Sequence, residues 1–507
     1  MAQNNQGTID ISRDKNVSQL QSKAVGLIGV LFLAVTGAAP MSAMLGNVPF
    51  AAGYGIGTYT PAAFLLATIV LTIFSIGYAA MASRVSSVGG FYSFISQSLG
   101  REIGMSAGIT SLACYSIFEA SLTGLFAFFG NKWLNDHFGI NVPWLVLALI
   151  MIAAIAVLSY RDVKLSAKIL GAALIAEVAI LAIFVLGVLF AGSGTNFSAE
   201  SLNVFNVYTA VAEQKVGDVA IPAGAAAVGI FMAFWSWVGF EMAPNYAEES
   251  RDPKRIIPQS LMISVIGLGI FYVIVSWCAV SAYPTVADMT AKAFSDGVNF
   301  FLTPIGAFVG NWAYELMFVL ILTSSFACGM AFHNTAARYM YSLGREGVLP
   351  GALGTTHDSY KSPHRASAVQ SVLAAIWVVL YGLGYGFDDP SGQAWLGVYT
   401  LFAVLGTGLL LVLQAVVSLA IIMWFKKNGG GNAFSTLIAP ALSFVVQIWL
   451  VYTLIANLST LGGTNGFATS IPYVGLAIIV AGLIWGVVLK SSNPAAYKNI
   501  GHMVNEG

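Results

Sequence analysis

Long apolar runs separated by short charged segments make up most of the chain. After Lys23 the next charged residue is Arg84, a stretch of 60 residues, and about 20 apolar residues suffice for one helical crossing of a bilayer. This stretch predicts two crossings, and the pattern recurs to the end of the chain. We therefore predict twelve membrane-spanning helices, termed spans 1 to 12, over residues 24–50, 60–83, 103–130, 141–159, 165–191, 222–246, 257–281, 311–337, 366–386, 395–424, 435–457 and 471–490.

The basic residues between the spans indicate an orientation. Nineteen of the 22 Lys and Arg residues fall on the side of the N-terminus, whereas Lys132, Lys215 and Lys292 fall on the other side. Because basic residues concentrate in cytoplasmic loops, we expect both termini in the cytoplasm and the protein in the plasma (inner) membrane. The predicted segments outside the spans are the tails 1–23 and 491–507 and the extracellular loop 192–221.

Composition narrows the class of protein further. Hydrophobic residues make up 57% of the chain and charged residues only 9%, against about 25% charged residues in soluble domains. The net charge is zero, so bulk attraction to nucleic acid is not expected. The five histidines are dispersed and the three cysteines lie in apolar runs. We therefore predict neither an enzyme nor a metal site, and no cofactor apart from a coupling ion.

Spans 1 and 6 contain residues that interrupt a membrane helix. Span 1 has Gly37 and Pro40, and span 6 has Ser236 and Gly239 around an aromatic segment. Non-helical backbone at membrane depth is tolerated only where it is buried in protein or lines a cavity. Interruptions at matching positions of two five-helix groups indicate an inverted-repeat transporter with a mid-membrane site. The structural alternative is a proline kink in span 1 and packing glycines in span 6.

The ends of an opened helix suit a small molecule that carries both charges. Freed N–H groups of span 1 favour a carboxylate, and freed carbonyls of span 6 favour an ammonium group. An amino acid satisfies both at once. The predicted substrate-binding residues in these two spans are Thr36, Gly37, Ala38, Ala39, Phe234, Trp235, Ser236, Trp237 and Gly239.

Four glutamates lie within the spans: Glu119, Glu177, Glu241 and Glu315. A charged side chain at mid-bilayer costs about 2.5–3.5 kcal/mol on insertion scales, so each needs a proton, a partner or a function. We predict that Glu119 faces the cavity as a substrate-binding residue, where it would favour an amine; the alternative is an interhelical hydrogen bond. Glu315, near the end of span 8, is assigned no role.

Three motifs are similar to those of the amino acid–polyamine–organocation superfamily. They are residues 87–94 (SVGGFYSF), 234–241 (FWSWVGFE) with 248–258 (EESRDPKRIIP), and 334–350 (NTAARYMYSLGREGVLP). The chain thus resembles a bacterial-type amino acid permease. This resemblance implies an all-α polytopic protein with a 5+5 inverted repeat (LeuT-like fold), broken helices 1 and 6, and two extra C-terminal helices. The corresponding segments are residues 24–191, 222–424 and 425–490.

The resemblance also implies where a coupling ion would bind. In many relatives a lysine of span 5 lies beside the opened span 1 and replaces a sodium ion, and Glu177 has that position here. It would take a proton or help to bind a cation. The acid of span 6, here Glu241, is implicated in proton coupling or gating. Adjacent hydroxyls of span 8 ligate sodium in sodium-dependent relatives, which indicates Thr323, Ser324 and Ser325.

Taken together, the sequence predicts a secondary active transporter that imports an amino acid by alternating access, with the proton as the first choice of coupling ion. Sodium coupling and exchange without a coupling ion stay open as alternatives. A permease or exchanger for a polyamine or another organic amine is the alternative within the class. A channel or a non-transporting membrane scaffold is the alternative outside it. The expected partners are the small-molecule substrate and the lipid bilayer.

Overall fold

Helices account for most of the chain that the structure describes. A computed structural model describes residues 9–10, 20, 23–85, 87, 89–160, 163–462 and 465–504. Helices dominate because a backbone in lipid must satisfy its hydrogen bonds within its own segment. Most of the predicted tail 1–23 and Val88 of the first motif lie outside the described residues.

Eighteen α-helices are present in the described residues. In chain order, α1 to α18 are Leu27–Ala38, Pro40–Phe50, Thr60–Ala82, Gly90–Leu99, Arg101–Phe138, Trp144–Ser159, Val163–Phe190, Ala226–Trp235, Pro253–Ser281, Val286–Ser295, Asn299–Phe308, Asn311–Arg345, His364–Tyr385, Phe402–Asn428, Ala439–Ala456, Leu458–Gly462, Gly466–Ser492 and Pro494–Asn499. The described helices also include π-helical segments, among them Ala51–Gly55 after α2 and Pro390–Leu401 before α14.

Eleven helical segments of the described chain are long and apolar enough to cross a membrane. They agree with an all-α polytopic membrane protein. The predicted span 4 corresponds to α6, which is apolar but has only 16 residues. That is shorter than the roughly 20 residues of an ordinary crossing. A count of twelve spans therefore stays a prediction.

The two ends of the molecule differ in the segments that they contain. A short strand β1 (Ile9–Asp10) pairs in parallel with β4 (Met503–Val504), so both termini lie at one end, the terminal face. The guanidinium of Arg101, at the start of α5, lies 5.6 Å from the ring centroid of Tyr497 near the C-terminus. Helix α5 has 38 residues, about 57 Å at 1.5 Å per residue. The C-terminal end of α5 therefore marks the opposite end of the molecule, which we call the vestibule face. This end also has the hairpin of β2 (Gln214–Val216) and β3 (Val219–Ile221) in the loop before α8.

The core is centred on α5, which contacts α12, α14, α17 and the segment Pro390–Leu401. Most of its inner residues are fully buried, among them Tyr115 and Phe118. Gly124 permits the close approach of Pro390–Leu401, because a side-chain carbon there would lie 2.7 Å from the backbone N of Tyr399. This contact positions one wall of the site described next.

Candidate functional site

In span 1, a single residue with left-handed backbone lies between two helices. Helix α1 ends at Ala38, and Ala39 adopts the left-handed conformation with φ 42° and ψ 78°. Helix α2 then begins at Pro40, where proline suits the first helical position because no N–H is needed there. The carbonyls at the end of α1 are partly used by neighbours. The Tyr272 hydroxyl donates to the Ala38 carbonyl at 3.0 Å, and the Cys328 thiol donates to the Gly37 carbonyl at 3.1 Å.

The helix of span 6 also ends within the membrane-crossing segment Ala226–Tyr246. Helix α8 stops at Trp235, and a 3-10 helix follows over Phe240–Tyr246. Between them, Gly239 has φ 123°. A side-chain carbon on Gly239 would lie 2.5 Å from the Ala38 backbone N and 2.8 Å from the Gly37 Cα. The two interrupted segments therefore touch through glycine backbone.

A small uncharged cavity lies beside this contact. Its volume is about 20 Å³, which is enough for about one water molecule. A larger molecule can enter only if the surrounding helices move apart. The described residues that line it are Gly37, Ala38, Ala39, Ser42, Ala43, Asn47, Leu122, Trp235, Ser236, Val238, Cys328, Phe332 and Tyr399.

Five of the predicted substrate-binding residues are in this lining, and four from spans 1 and 6 are not. Gly37, Ala38, Ala39, Trp235 and Ser236 line the cavity. Outside the lining, the Trp237 indole donates to the Val265 carbonyl at 3.5 Å and crosses the Tyr272 ring edge-on. The other three are buried or lie in the glycine contact: Thr36, Phe234 and Gly239.

Hydrogen bonds within the lining join three separate segments. The Tyr399 hydroxyl donates to Asn47 Oδ1 at 2.9 Å, and Asn47 Nδ2 donates to Ser236 Oγ at 2.9 Å. Asn47 and Tyr399 were not among the predicted site residues. Asn47 carried a usable signal, since it is a polar side chain within an apolar run. Tyr399 carried none, because it is 352 residues away from its partner.

Glu177 reaches the start of α2 from α7. Its Oε2 accepts a hydrogen bond from the Met41 backbone N–H at 3.2 Å. The Ser42 backbone N–H donates to Ser324 Oγ at 3.2 Å. The N–H groups at this helix N-terminus thus already have acceptors in this conformation. A buried carboxylate at such a terminus is stabilised by the helix dipole.

Glu241 hydrogen-bonds to the backbone of the non-helical segment that precedes it in span 6. Its Oε2 accepts from the Gly239 backbone N–H at 2.9 Å, and its Oε1 accepts from the Tyr115 hydroxyl at 2.9 Å. The side chain is fully buried and does not belong to the cavity lining. Its geometry holds the segment after Gly239 against α5.

Glu119 lies in a buried network between α5, α12 and α13. Both of its carboxylate oxygens are 3.0 Å from His333 Nδ1, and Gln370 Nε2 donates to Oε2 at 2.7 Å. His333 Nε2 is 2.8 Å from Ser367 Oγ. Glu119 is not among the residues lining the cavity. This is the interhelical hydrogen bonding that the sequence left as the alternative, so a binding role stays a prediction.

The three predicted hydroxyls of α12 have different surroundings. Thr323 donates to the Leu320 carbonyl and Ser325 to the Leu322 carbonyl, both within their own helix. Only Ser324 faces α2, where it accepts from the Ser42 hydroxyl at 2.9 Å. Among the described residues, hydrogen bonds therefore connect only Ser324 of the three to the start of α2.

The cavity is closed toward the terminal face by buried ion pairs. Arg338 of α12 donates through two nitrogens to Glu249, at 2.9 and 3.0 Å, and Arg345 donates to Glu248 at 3.0 Å. The Leu20 backbone N–H donates to the same Glu248 at 2.9 Å. Burial raises the pKa of Glu249 above its usual value, and the Arg338 guanidinium opposes that rise. These contacts connect the segment after span 6 to α12.

The opposite side of the cavity faces a larger space that we call the vestibule. It has a volume of about 520 Å³ and is lined by residues from the end of α5, from α10 and from Pro390–Leu401, including Asn131, Asp136, Asp296 and Trp395. Aromatic rings separate it from the cavity. A buried site between two interrupted helices, closed toward both faces, is the arrangement expected of a membrane transporter.

Comparison with known proteins agrees with this class. The chain belongs to the amino acid permease family, which matches residues 25–486. It is 23% identical over 444 residues to an uncharacterized transporter of Mycobacterium tuberculosis, covering 84% of this chain and 87% of the relative. It is 22% identical to the low-affinity putrescine importer PlaP of Escherichia coli over 69% and 73% of the two chains. For the methylthioribose transporter of Bacillus subtilis, the identity is 22% over 80% and 82%. The protein is therefore a membrane transporter and not an enzyme.

Proposed function

We propose that this transporter imports a small, electrically neutral amino acid across the plasma membrane by alternating access, together with protons. The observation that carries the proposal is the uncharged lining of the cavity between the two interrupted helices. An isolated charge on a bound side chain would have no counter-ion there, whereas a zwitterion has no net charge to compensate. Hydroxyl, amide and backbone groups are enough to orient it.

Alternating access follows from the two closures around the cavity. We assign spans 1–5 and 6–10 to two inverted repeats, with the interruptions at Ala39 and at residues 236–239 in the first span of each. Spans 1 and 6 would move against the scaffold that contains α5 and α12. The terminal face is taken as cytoplasmic because the basic residues concentrate there.

Proton coupling follows from competition for one helix N-terminus. The Glu177 carboxylate already accepts from the first N–H of α2 after Pro40. A substrate carboxylate bound at the same terminus would place two negative charges close together, which is unfavourable unless one takes a proton. Substrate binding would then favour protonation of Glu177, and both would travel together. Tyr272 and Cys328 are the other titratable groups nearby.

Uptake in proteoliposomes tests this mechanism. We expect an inward proton gradient to drive accumulation of small neutral amino acids, and Glu177→Gln to lose that accumulation while retaining exchange. The matched control is Glu315→Gln, because the Glu315 side chain is 41% exposed and should be replaceable without effect. Glu241→Gln is measured in parallel. Concentrative, pH-dependent uptake by Glu177→Gln would refute the coupling proposal.

The second candidate substrate is an organic amine such as a polyamine, which the similarity to a putrescine importer favours. The absence of a carboxylate from the described cavity lining argues against an amine. Glu119, the glutamate expected to meet an amine, is instead hydrogen-bonded to His333 and Gln370. Thermal stabilisation by amino acids and polyamines separates the two. Stabilisation by amino acids that is lost without the α-carboxylate supports the first candidate, and stabilisation by amines alone supports the second.

A further inference from the structure

One helical turn separates the cavity from the vestibule. Trp395 lines the vestibule and Tyr399 lines the cavity, both within Pro390–Leu401. Their rings stack with centroids 5.5 Å apart. Both side chains are buried, with 9% and 2% exposure. A molecule that passes from the vestibule to the cavity must therefore displace these two rings.

The partition is completed by rings from three other segments. Trp395 stacks on Phe50 at the end of α2 with a centroid distance of 5.3 Å, and lies 4.8 Å from the ring of Phe128 in α5. Tyr399 lies 4.7 Å from the ring of Trp235 at the end of α8. Ring pairs of this kind exclude water and prefer offset or edge-on contact. They close the passage without any charge.

Two hydrogen bonds hold Tyr399 in this partition: its backbone carbonyl accepts from the Ser121 hydroxyl of α5 at 2.6 Å, and its own hydroxyl fixes the ring. The Tyr399 hydroxyl donates to Asn47 Oδ1, and Asn47 in turn donates to Ser236, so one phenol connects Pro390–Leu401 to α2 and to the end of α8. Gly46 makes room for it, since a side-chain carbon there would lie 2.9 Å from Tyr399 Cζ.

The backbone that carries both rings is π-helical, and it becomes α-helical at Phe402. π-Helical stretches are rare, and they are frequently found at functional sites. We propose that Trp395 and Tyr399 form the gate between vestibule and cavity, and that the hydrogen bond from Tyr399 to Asn47 is its latch. The proposal rests on the proposed function only in that the passage is the substrate's route.

A native cysteine makes the gate measurable without any substrate. Cys328 lines the cavity and is 3% exposed. A membrane-impermeant thiol reagent added from the vestibule face reaches it only through the gate. The rate of its modification, resolved from that of Cys114 and Cys278 by peptide mass spectrometry, therefore reports gate opening. Cys328→Ala supplies the background.

The experiment compares this rate in intact cells that express the full chain. We expect Tyr399→Phe and Asn47→Ala each to speed modification of Cys328 by roughly 3- to 10-fold, the effect of losing one hydrogen bond. The double variant should gain no more than the larger single effect, because both remove the same bond. Tyr283→Phe is the matched control, since its hydroxyl donates to the Phe300 carbonyl away from the gate.

The outcome is decisive in both directions. An unchanged rate in Tyr399→Phe, in protein of normal thermal stability, would overturn the latch. An equal increase in Tyr283→Phe would show general loosening and overturn it as well. Because labelling needs neither a known substrate nor a coupling ion, failure of the proposed function would leave this result intact.

Discussion

Gly239→Ala is the most direct test of the contact between the two interrupted helices. Gly239 has φ 123° and ψ −33°, a conformation that residues with a side chain adopt only at a cost of about 1–3 kcal/mol. The added carbon would also lie 2.5 Å from the Ala38 backbone N. Backbone cannot rotate away as a flexible side chain can, so overpacking adds about 1–3 kcal/mol. The expected loss is about 2–6 kcal/mol.

This loss converts into a measurable change in melting temperature. Globular proteins gain about 2.1 cal/mol/K of unfolding entropy per residue. For 507 residues that is about 1 kcal/mol per degree, so the melting temperature should fall by about 2–6 °C. Purified protein in detergent, followed by intrinsic fluorescence during heating, provides the measurement. The uptake rate should fall by more than the loss of folded protein accounts for, because the contact lies beside the cavity.

The matched control is Gly267→Ala in α9. Gly267 is helical and exposed, and nothing lies within 4 Å of a side-chain carbon built there. Alanine is the better helix former by roughly 1 kcal/mol, so stability should stay constant or rise. If Gly239→Ala melted and transported like the wild type, the two helices would not depend on this glycine contact and the site geometry argued above would be wrong.

Two further predictions concern the terminal face. Removal of either partner of the Glu249–Arg338 pair should destabilise the protein by about 3–5 kcal/mol, because the remaining buried charge is unpaired; a double-mutant cycle followed by thermal unfolding measures the coupling, and additive losses would count against a direct pair. Gly501→Ala should free the C-terminal segment, because φ is 65° and a side-chain carbon would meet Ser96 Oγ at 2.5 Å. Faster proteolysis of that segment than in the wild type is the expected result, and equal rates would contradict it.

The parts of the structure that follow from short-range sequence were predictable. The apolar runs located the eleven described segments that are long and apolar enough to cross a membrane. Helix α1 ends at Ala38, inside the stretch between Gly37 and Pro40 that the sequence marked, while a broken membrane helix there stays a prediction. Both depend on local properties, namely hydropathy and the backbone limits of glycine and proline. Span 4 shows where this ends, because α6 is too short for the length criterion although its residues are apolar.

Side-chain partners across the fold were not predictable, since no local pattern encodes them. Glu119 and His333 are 214 residues apart, and each looked like an isolated polar residue until the helices brought them together. The same holds for Tyr399 and Asn47. The sequence indicated that Glu119 needed a partner or a function, because an unpaired charge in the membrane is costly. It did not say which of the two the fold supplies.

The two closures of the cavity differ in chemistry, and the difference bears on the direction of transport. Opening the terminal face separates two ion pairs and the backbone hydrogen bonds that join Val25 to Glu249 and Arg251. Opening the vestibule face separates aromatic rings and one hydrogen bond from Tyr399. The second change disrupts fewer polar contacts, so the cavity should open first toward the vestibule.

Ion pairs nevertheless suit a gate that must open reversibly. A buried pair contributes little net stability, because the charges lose hydration when they come together and regain it when they separate into water. The terminal gate is therefore specific in its closed geometry without being prohibitively costly to open. We therefore propose that the substrate enters through the vestibule gate and leaves through the charged terminal gate, which would give import.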